Sequence, residues 1–146
     1  MTNTDVKLAG ILHAKALGYL ATPYSRYADG MEAAFEHAAA LVGRLLSERS
    51  WPVYSPIAHT HPVAKFGKLD PLDHGIWLPF DELMMWRCDY CLVAEMAGWE
   101  KSYGIGHEIE WFAVRGKPVI YLDPITLRVR ATPLASVLPA EERPFA

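Results

Sequence analysis

The stretch from Tyr90 to Leu122 constrains the fold more than any other. Tyr90-Cys91-Leu92-Val93-Ala94 is an unbroken apolar run of strand length. A turn rich in Gly and Ser, Gly98 to Ser102, then opens a helix through Ala113, and Gly116-Lys117-Pro118-Val119-Ile120-Tyr121-Leu122 reads as the next strand. A buried strand, a helix and a second buried strand make a crossover unit, which pairs its strands in parallel. The N–H groups at such a helix start suit an anion. Glu108 lies about one and a half turns further in.

The rest of the chain repeats the alternation. Leu17–Ala21 reads as a first strand, ended by Thr22-Pro23-Tyr24-Ser25. Asp29 is a plausible cap for a helix over Met31–Leu46, where Ala34, Phe35, Ala38, Leu41, Val42, Leu45 and Leu46 fall at helical spacing. Ser50-Trp51-Pro52 breaks it, and Val53–Ser55 reads as a second strand. Residues 56–74, with Pro56, Pro62, Pro71, His59, His61 and His74, read as a long loop, a kind that is usually functional. Ile76–Arg87 reads as a helix. The expected fold is therefore α/β, a Rossmann-like (flavodoxin-like), mostly parallel sheet of four to five strands flanked by helices. It forms a single domain over residues 1–146, with a core at 17–122. Residues 1–16 read as an N-terminal extension with a short helix, and 123–146 as a Pro-rich tail with a helical turn at Leu134–Leu138.

Composition narrows the partners. The 146 residues are 51% hydrophobic and 21% charged, an ordinary globular balance, and the formal charge of -3 gives no reason to expect a nucleic-acid polymer. No apolar run approaches the roughly 20 residues that span a bilayer, and the N-terminus lacks the pattern of a signal peptide. The two cysteines, Cys88 and Cys91, give no disulfide framework. A cytoplasmic protein without a membrane partner is expected.

Ligands of a parallel sheet bind beyond the carboxyl ends of its strands, which singles out Ala21–Arg26, Ser55–His61 and Met96–Glu108. Gly104-Ile105-Gly106 is a weak dinucleotide pattern, because Ile109 stands where the third glycine belongs. His59 and His61 with Cys88 and Cys91 make a poor metal set, since Cys88 closes a helix while Cys91 lies inside a strand. No cofactor or metal is expected. Ser102 suits an N-cap, and that structural role alone would explain it. Asp81 reads equally well as a surface carboxylate, and Glu108 as a solvated helix residue, although it borders the stripe of Ile105, Ile109 and Phe112.

Several of these pieces, taken together and in order, resemble the nucleoside 2-deoxyribosyltransferase-like superfamily over residues 17–122. They are Tyr19-Leu20-Ala21-Thr22-Pro23-Tyr24-Ser25, Asp81, Cys88 to Glu95, Ser102-x-Gly104-x-Gly106-x-Glu108 and Gly116-Lys117-Pro118-Val119. The resemblance implies that Glu108 is the nucleophile at the anomeric carbon and that Asp81 assists the leaving base. Transferases of that superfamily carry an acidic residue six positions before the nucleophile, facing the free sugar hydroxyl; Ser102 stands there in this chain. This is similar to the branch that hydrolyses nucleoside 5′-monophosphates, where the serine helps bind phosphate.

The implied activity is thus a nucleotide N-glycosidase acting through a covalent glycosyl-Glu108 intermediate. A 2-deoxyribosyltransferase and a non-catalytic nucleotide-binding module are the alternatives. Six helical residues rise roughly 9 Å, comparable to the reach from phosphate to anomeric carbon. Phosphate is expected on Ser102 and the N–H groups of the Gly104–Gly106 turn. Glu108 is expected to be ionised at neutral pH from a reference pKa of about 4.3. Tyr19, Thr22 and Ser25 are expected to line the sugar and base pocket, His59 or His61 to approach the base or phosphate, and Arg26 to add positive charge. Trp77, Trp86, Trp99 and Trp111 read most simply as core or rim residues, although one could stack on a base. The resemblance also implies a homodimer or higher homo-oligomer, with Thr132 and the tail as a candidate contact.

Overall fold

A computed structural model describes residues 3–133. Its sheet has five strands: β1 (Gly18–Ala21), β2 (Val53–Tyr54), β3 (Tyr90–Ala94), β4 (Val119–Leu122) and β5 (Val129–Arg130). The spatial order is β2-β1-β3-β4-β5, parallel throughout except for β5, which pairs antiparallel with β4. Five α-helices accompany it among the described residues: α1 (Asn3–Ile11), α2 (Met31–Arg44), which a π-helical turn (Leu45–Arg49) continues, α3 (Pro56–Gly67), α4 (His74–Arg87) and α5 (Tyr103–Val114), preceded by a 3-10 turn (Trp99–Lys101). The fold is Rossmann-like α/β, and the strand order is that of flavodoxin-like doubly wound sheets. Among the described residues no helix is long and apolar enough to cross a membrane.

The pleat sorts the strand residues onto two faces. Leu20, Tyr90, Leu92, Ala94, Ile120 and Leu122 pack with Leu41 and Leu45 of α2 and its continuation. Tyr19, Ala21, Cys91, Val93 and Tyr121 pack against Met85 of α4 and Ile105, Trp111 and Phe112 of α5. Every residue of β1 and β3 is buried, which is why both read as apolar runs with no polar alternation.

Several expectations need correction. In the described part of the N-terminal extension, Leu8, Leu12 and Ala16 are buried in the core beside α2. Asp29 does not cap α2: the N-cap is Gly30, at φ 93, without a side-chain hydrogen bond. The long loop at 56–74 is mostly helix α3. Ser55 caps it by accepting from the Ala58 N–H, and Pro56 occupies the first turn, where a missing N–H costs nothing. Pro62 does sit inside α3, and burial of Ile57, Thr60 and Ala64 offsets the hydrogen bond it removes. The helix assigned to Ile76–Arg87 begins at His74, with Asp73 accepting from Gly75 N–H. The tail returns as β5, tied to the end of β3 by an Arg130–Glu95 ion pair. Thr132 is exposed, and the turn expected at Leu134–Leu138 lies outside the described residues.

One glycine is dictated by packing. A Cβ built on Gly18 would stand 2.5 Å from Cζ of Tyr90, the residue paired with it across β1 and β3. Gly18→Ala is therefore expected to lower unfolding free energy by about 1–3 kcal/mol in chemical denaturation, the usual range for overpacking. In a Tyr90→Leu background most of that loss should disappear.

Candidate active site

The strand order reverses between β1 and β3: β2 extends the sheet on one side of β1, while β3 and β4 extend it on the other. Chain leaving the carboxyl ends of two such strands diverges and opens a crevice. A cleft of about 350 Å³ lies there. The segment after β1 contributes Thr22, Tyr24 and Ser25, and β1 itself contributes Tyr19. The start of α5 brings Ser102, Tyr103, Gly104, His107 and Glu108, α4 brings His74, Trp77, Leu78, Asp81 and Met85, and α3 adds Ile57 and Thr60.

Asp81 and Glu108 thus share one cleft although 27 positions separate them (108 − 81). Each carboxyl is perturbed. Burial pushes Asp81 up to about 7. Burial also pushes Glu108 up to about 8, with the negative charge of Asp81 adding to the shift and the Tyr19 hydroxyl opposing it. That hydroxyl stands against the Glu108 carboxyl without closing a hydrogen bond of standard geometry. The expectation of a Glu108 ionised at neutral pH is corrected. Two carboxyls removed from water and facing one cleft cannot readily both be charged, so the pair keeps protons into the neutral range.

The helices hold these groups by ordinary means. Ser102 is the N-cap of α5, its Oγ accepting from Ile105 N–H at 3.2 Å. The Gly106 N–H is spent on Ser102 O at 3.1 Å, and Gly106 does not line the cleft. Of the turn, Tyr103 and Gly104 line the cleft, while Gly106 serves packing as a buried residue of α5. Lys117 fixes the other end of α4: its Nζ donates to the carbonyls of Met85, Trp86 and Cys88 at 3.1, 2.8 and 2.7 Å. A cation on the last carbonyls of a helix is favourable. Here it also locks the helix that bears Asp81 onto the turn before β4.

Besides Gly106, three more expected binding residues lie outside the lining. The ring of His59 stacks flat on Phe80 of α4, with centroids 4.7 Å apart, and does not line the cleft. His61 is also outside the lining, packed on Phe35 of α2. Arg26 is exposed and lines no part of it. Helix α3 explains the histidines: neighbours i and i+2 point to different sides of a helix, and it is Thr60 between them that faces the cleft. Among the described residues the lining holds no Lys or Arg.

His107 and the lead into α4 were missed. Five lining atoms are buried without a hydrogen-bond partner: Tyr19 Oη, Thr22 Oγ1, Ser25 Oγ, Asp81 Oδ1 and His107 Nε2. Buried polar atoms are normally satisfied, so five unpartnered atoms converging on one crevice leave it able to hydrogen-bond a polar group. The signal for His107 was present, since it directly precedes Glu108 at the start of the same helix. Of the tryptophans, Trp77 lines the cleft, a buried ring held by Nε1 donating to Asp70 O at 2.8 Å.

The family described as Domain of unknown function (DUF1937) matches residues 17–123, and the chain belongs to it. The match runs from β1 to just past β4, and so takes in both carboxyls and the N-cap of α5. No curated protein matches the chain.

The raised Glu108 has a consequence for stability. Its folded-state value lies above the unfolded one, so the stability it contributes is complete below about pH 4.5 and is lost as pH rises through about 8. Glu108→Gln cannot ionise. The variant should melt several degrees above the parent at pH 9, about 2–4 kcal/mol, and the difference should shrink steadily towards pH 5 in calorimetry.

Proposed function

We propose that this member of the family is a hydrolase cleaving the N-glycosidic bond of a nucleoside 5′-monophosphate. The observation that carries this reading is the pair of proton-retaining carboxyls, Asp81 and Glu108, facing one cleft beside the N-terminus of α5. Double-displacement glycoside hydrolysis needs one carboxylate and one carboxylic acid. A coupled pair that has lost one proton supplies both. Tyr19 is the group that favours ionised Glu108, because a phenolic hydroxyl can donate to a carboxylate. Burial raises Glu108 further than Asp81, so in the free protein the shared proton favours Glu108; the reaction requires that it pass to Asp81, whose unpartnered oxygen can carry it to the base once a ligand fills the cleft.

In the proposed reaction the Glu108 carboxylate attacks the anomeric carbon as the bond to the base breaks. The bonding electrons leave with the base, which takes the Asp81 proton. Water then adds to the anomeric carbon, gives its proton to Asp81 and displaces Glu108. Free base and sugar 5-phosphate are the products. The phosphate has no lysine or arginine to meet among the described lining residues. It would rest on the start of α5, where Tyr103 and Gly104 N–H groups lie at the positive end of the helix dipole, beside Ser102 and His107. Trp77 offers a face to the base. The resemblance to the nucleoside 2-deoxyribosyltransferase-like superfamily supports the same assignment, as does its serine-bearing branch.

Purified protein incubated with a panel of ribo- and deoxyribonucleoside 5′-monophosphates should release free base without an acceptor. Release only when a second base is present would establish the transferase instead. Ligand-induced stabilisation without product would establish a binding module. Glu108→Ala should reduce release at least a thousandfold, and full activity in that variant would overturn the mechanism.

Ser102→Asp separates a phosphate anchor from a mere cap. Aspartate caps a helix as well as serine does, so the melting temperature should stay within about 2 °C. Its charge would repel phosphate, so kcat/KM for monophosphates should fall at least a hundredfold while that for free nucleosides does not.

A further inference from the structure

The hydrogen-bonding polarity of one cleft hydroxyl is set from outside the cleft. Tyr24 lines the cavity, and its hydroxyl lies 2.7 Å from Nδ1 of His61. The other ring nitrogen, Nε2, lies 2.5 Å from Oε2 of Glu32 in the first turn of α2. The imidazole is clamped between helices: it stacks on Phe35 of α2 at 4.8 Å and meets the Tyr24 ring edge-on at 5.7 Å. The side chain of His61 is 12% exposed, against 55% for Glu32. The charged groups facing this ring are Glu32 from α2 and, beyond it, Lys65 of α3, 3.9 Å from the other Glu32 oxygen. The hydrogen bond from His61 holds the Glu32 carboxyl below its usual range, which keeps it an acceptor.

Donor counting then leaves one arrangement for the neutral ring. A carboxylate only accepts, so Nε2 must carry the proton, and Nδ1 must accept. The Tyr24 O–H is consumed as donor to Nδ1, so a ligand that reaches this oxygen from the cleft meets only lone pairs. By contrast, the Thr22 and Ser25 hydroxyls have no partner and can rotate to suit a ligand.

We propose that the chain Glu32–His61–Tyr24 makes the Tyr24 hydroxyl a one-way acceptor that selects ligands presenting an O–H or N–H donor at that point of the cleft. Two parts of a nucleotide carry such a donor, a sugar hydroxyl and an exocyclic amine of the base. The ligand class rests on the N-glycosidase reading, whereas the fixed polarity does not. Tyr24 and its two supports are positioning residues for the bound ligand.

The test uses the full chain carrying Glu108→Gln, so that binding is measured without turnover, by titration calorimetry at pH 8.5. Adenosine 5′-monophosphate is compared with inosine 5′-monophosphate, which replaces the amine with a carbonyl, and with its 2′- and 3′-deoxy forms. One of these pairs should differ at least tenfold in favour of the donor, and which pair it is identifies the source. Tyr24→Phe should abolish that preference and leave the donor-free ligand bound as before. Glu32→Gln, which leaves Tyr24 intact but no longer dictates the tautomer, should reduce it. A Tyr24→Phe variant that weakens all ligands equally, or none, overturns the proposal.

Long-range ¹H–¹⁵N spectra of the unliganded protein at pH 8.5 provide the second readout. They should show His61 as the Nε2–H tautomer, and a ring protonated on Nδ1 overturns the fixed polarity whatever the ligand. If the spectra show Nε2–H but no nucleotide binds, the nucleotide reading falls, and the ligand assignment made here falls with it.

Discussion

The parallel pairing of β1 with β3 is the constraint on which the rest of the molecule depends. Asp89 clamps its start from both sides, since its N–H donates to Leu17 O at 2.7 Å and its carboxylate accepts from Leu17 N–H at 2.8 Å. One step on, Gly18 leaves room for the Tyr90 ring to lie across the neighbouring strand. With that register held, four residue pairs carry the two strands to a common edge. There the chain turns one way into Thr22–Ser25 and the other way towards α5. The crevice, and every group facing it, follows from that divergence.

What the crevice contains is costly to the fold. Two carboxyls stripped of water, a buried imidazole nitrogen and three unpartnered hydroxyls each oppose folding. The surrounding structure absorbs this. The fully buried strands β1 and β3, the Lys117 clamp on the end of α4 and the Ser102 cap on α5 are locally consistent features with ordinary rationales. Other buried polar atoms go unpartnered as well, Tyr54 Oη, His59 Nδ1, Tyr90 Oη and Arg130 Nε among them, but the cleft gathers five of them together with two perturbed carboxyls, and that concentration sets it apart.

Legibility in the sequence followed the strength of local signals. Strand β3 was readable to the residue because an unbroken apolar run between turn signals has few alternatives. The α5 cap was readable because Ser102 and its glycines announce a helix start. Helix α3 was not, because Pro56 and Pro62 mimic loop composition, and only the burial of Ile57, Thr60 and Ala64 reveals why a helix tolerates them. Misreading α3 misplaced His59 and His61. Two residues apart on a loop they were free to face a ligand; on a helix they point at α4 and α2. Gly106 was misread for a related reason, since its N–H looked available until the helix used it.

The sequence by itself determined the alternation of strands and helices, and with it the α/β class, because apolar periodicity and turn chemistry act over a few residues. It also placed Glu108 one and a half turns behind a helix cap, a distance set by helical rise alone. Only the tertiary structure decided that Asp81 and Glu108 meet, that both hold their protons to near-neutral pH, and that Tyr24 reaches Glu32 through His61. Those properties depend on groups far apart in the chain and on how much water their packing excludes. Neither quantity is written in any local stretch of residues.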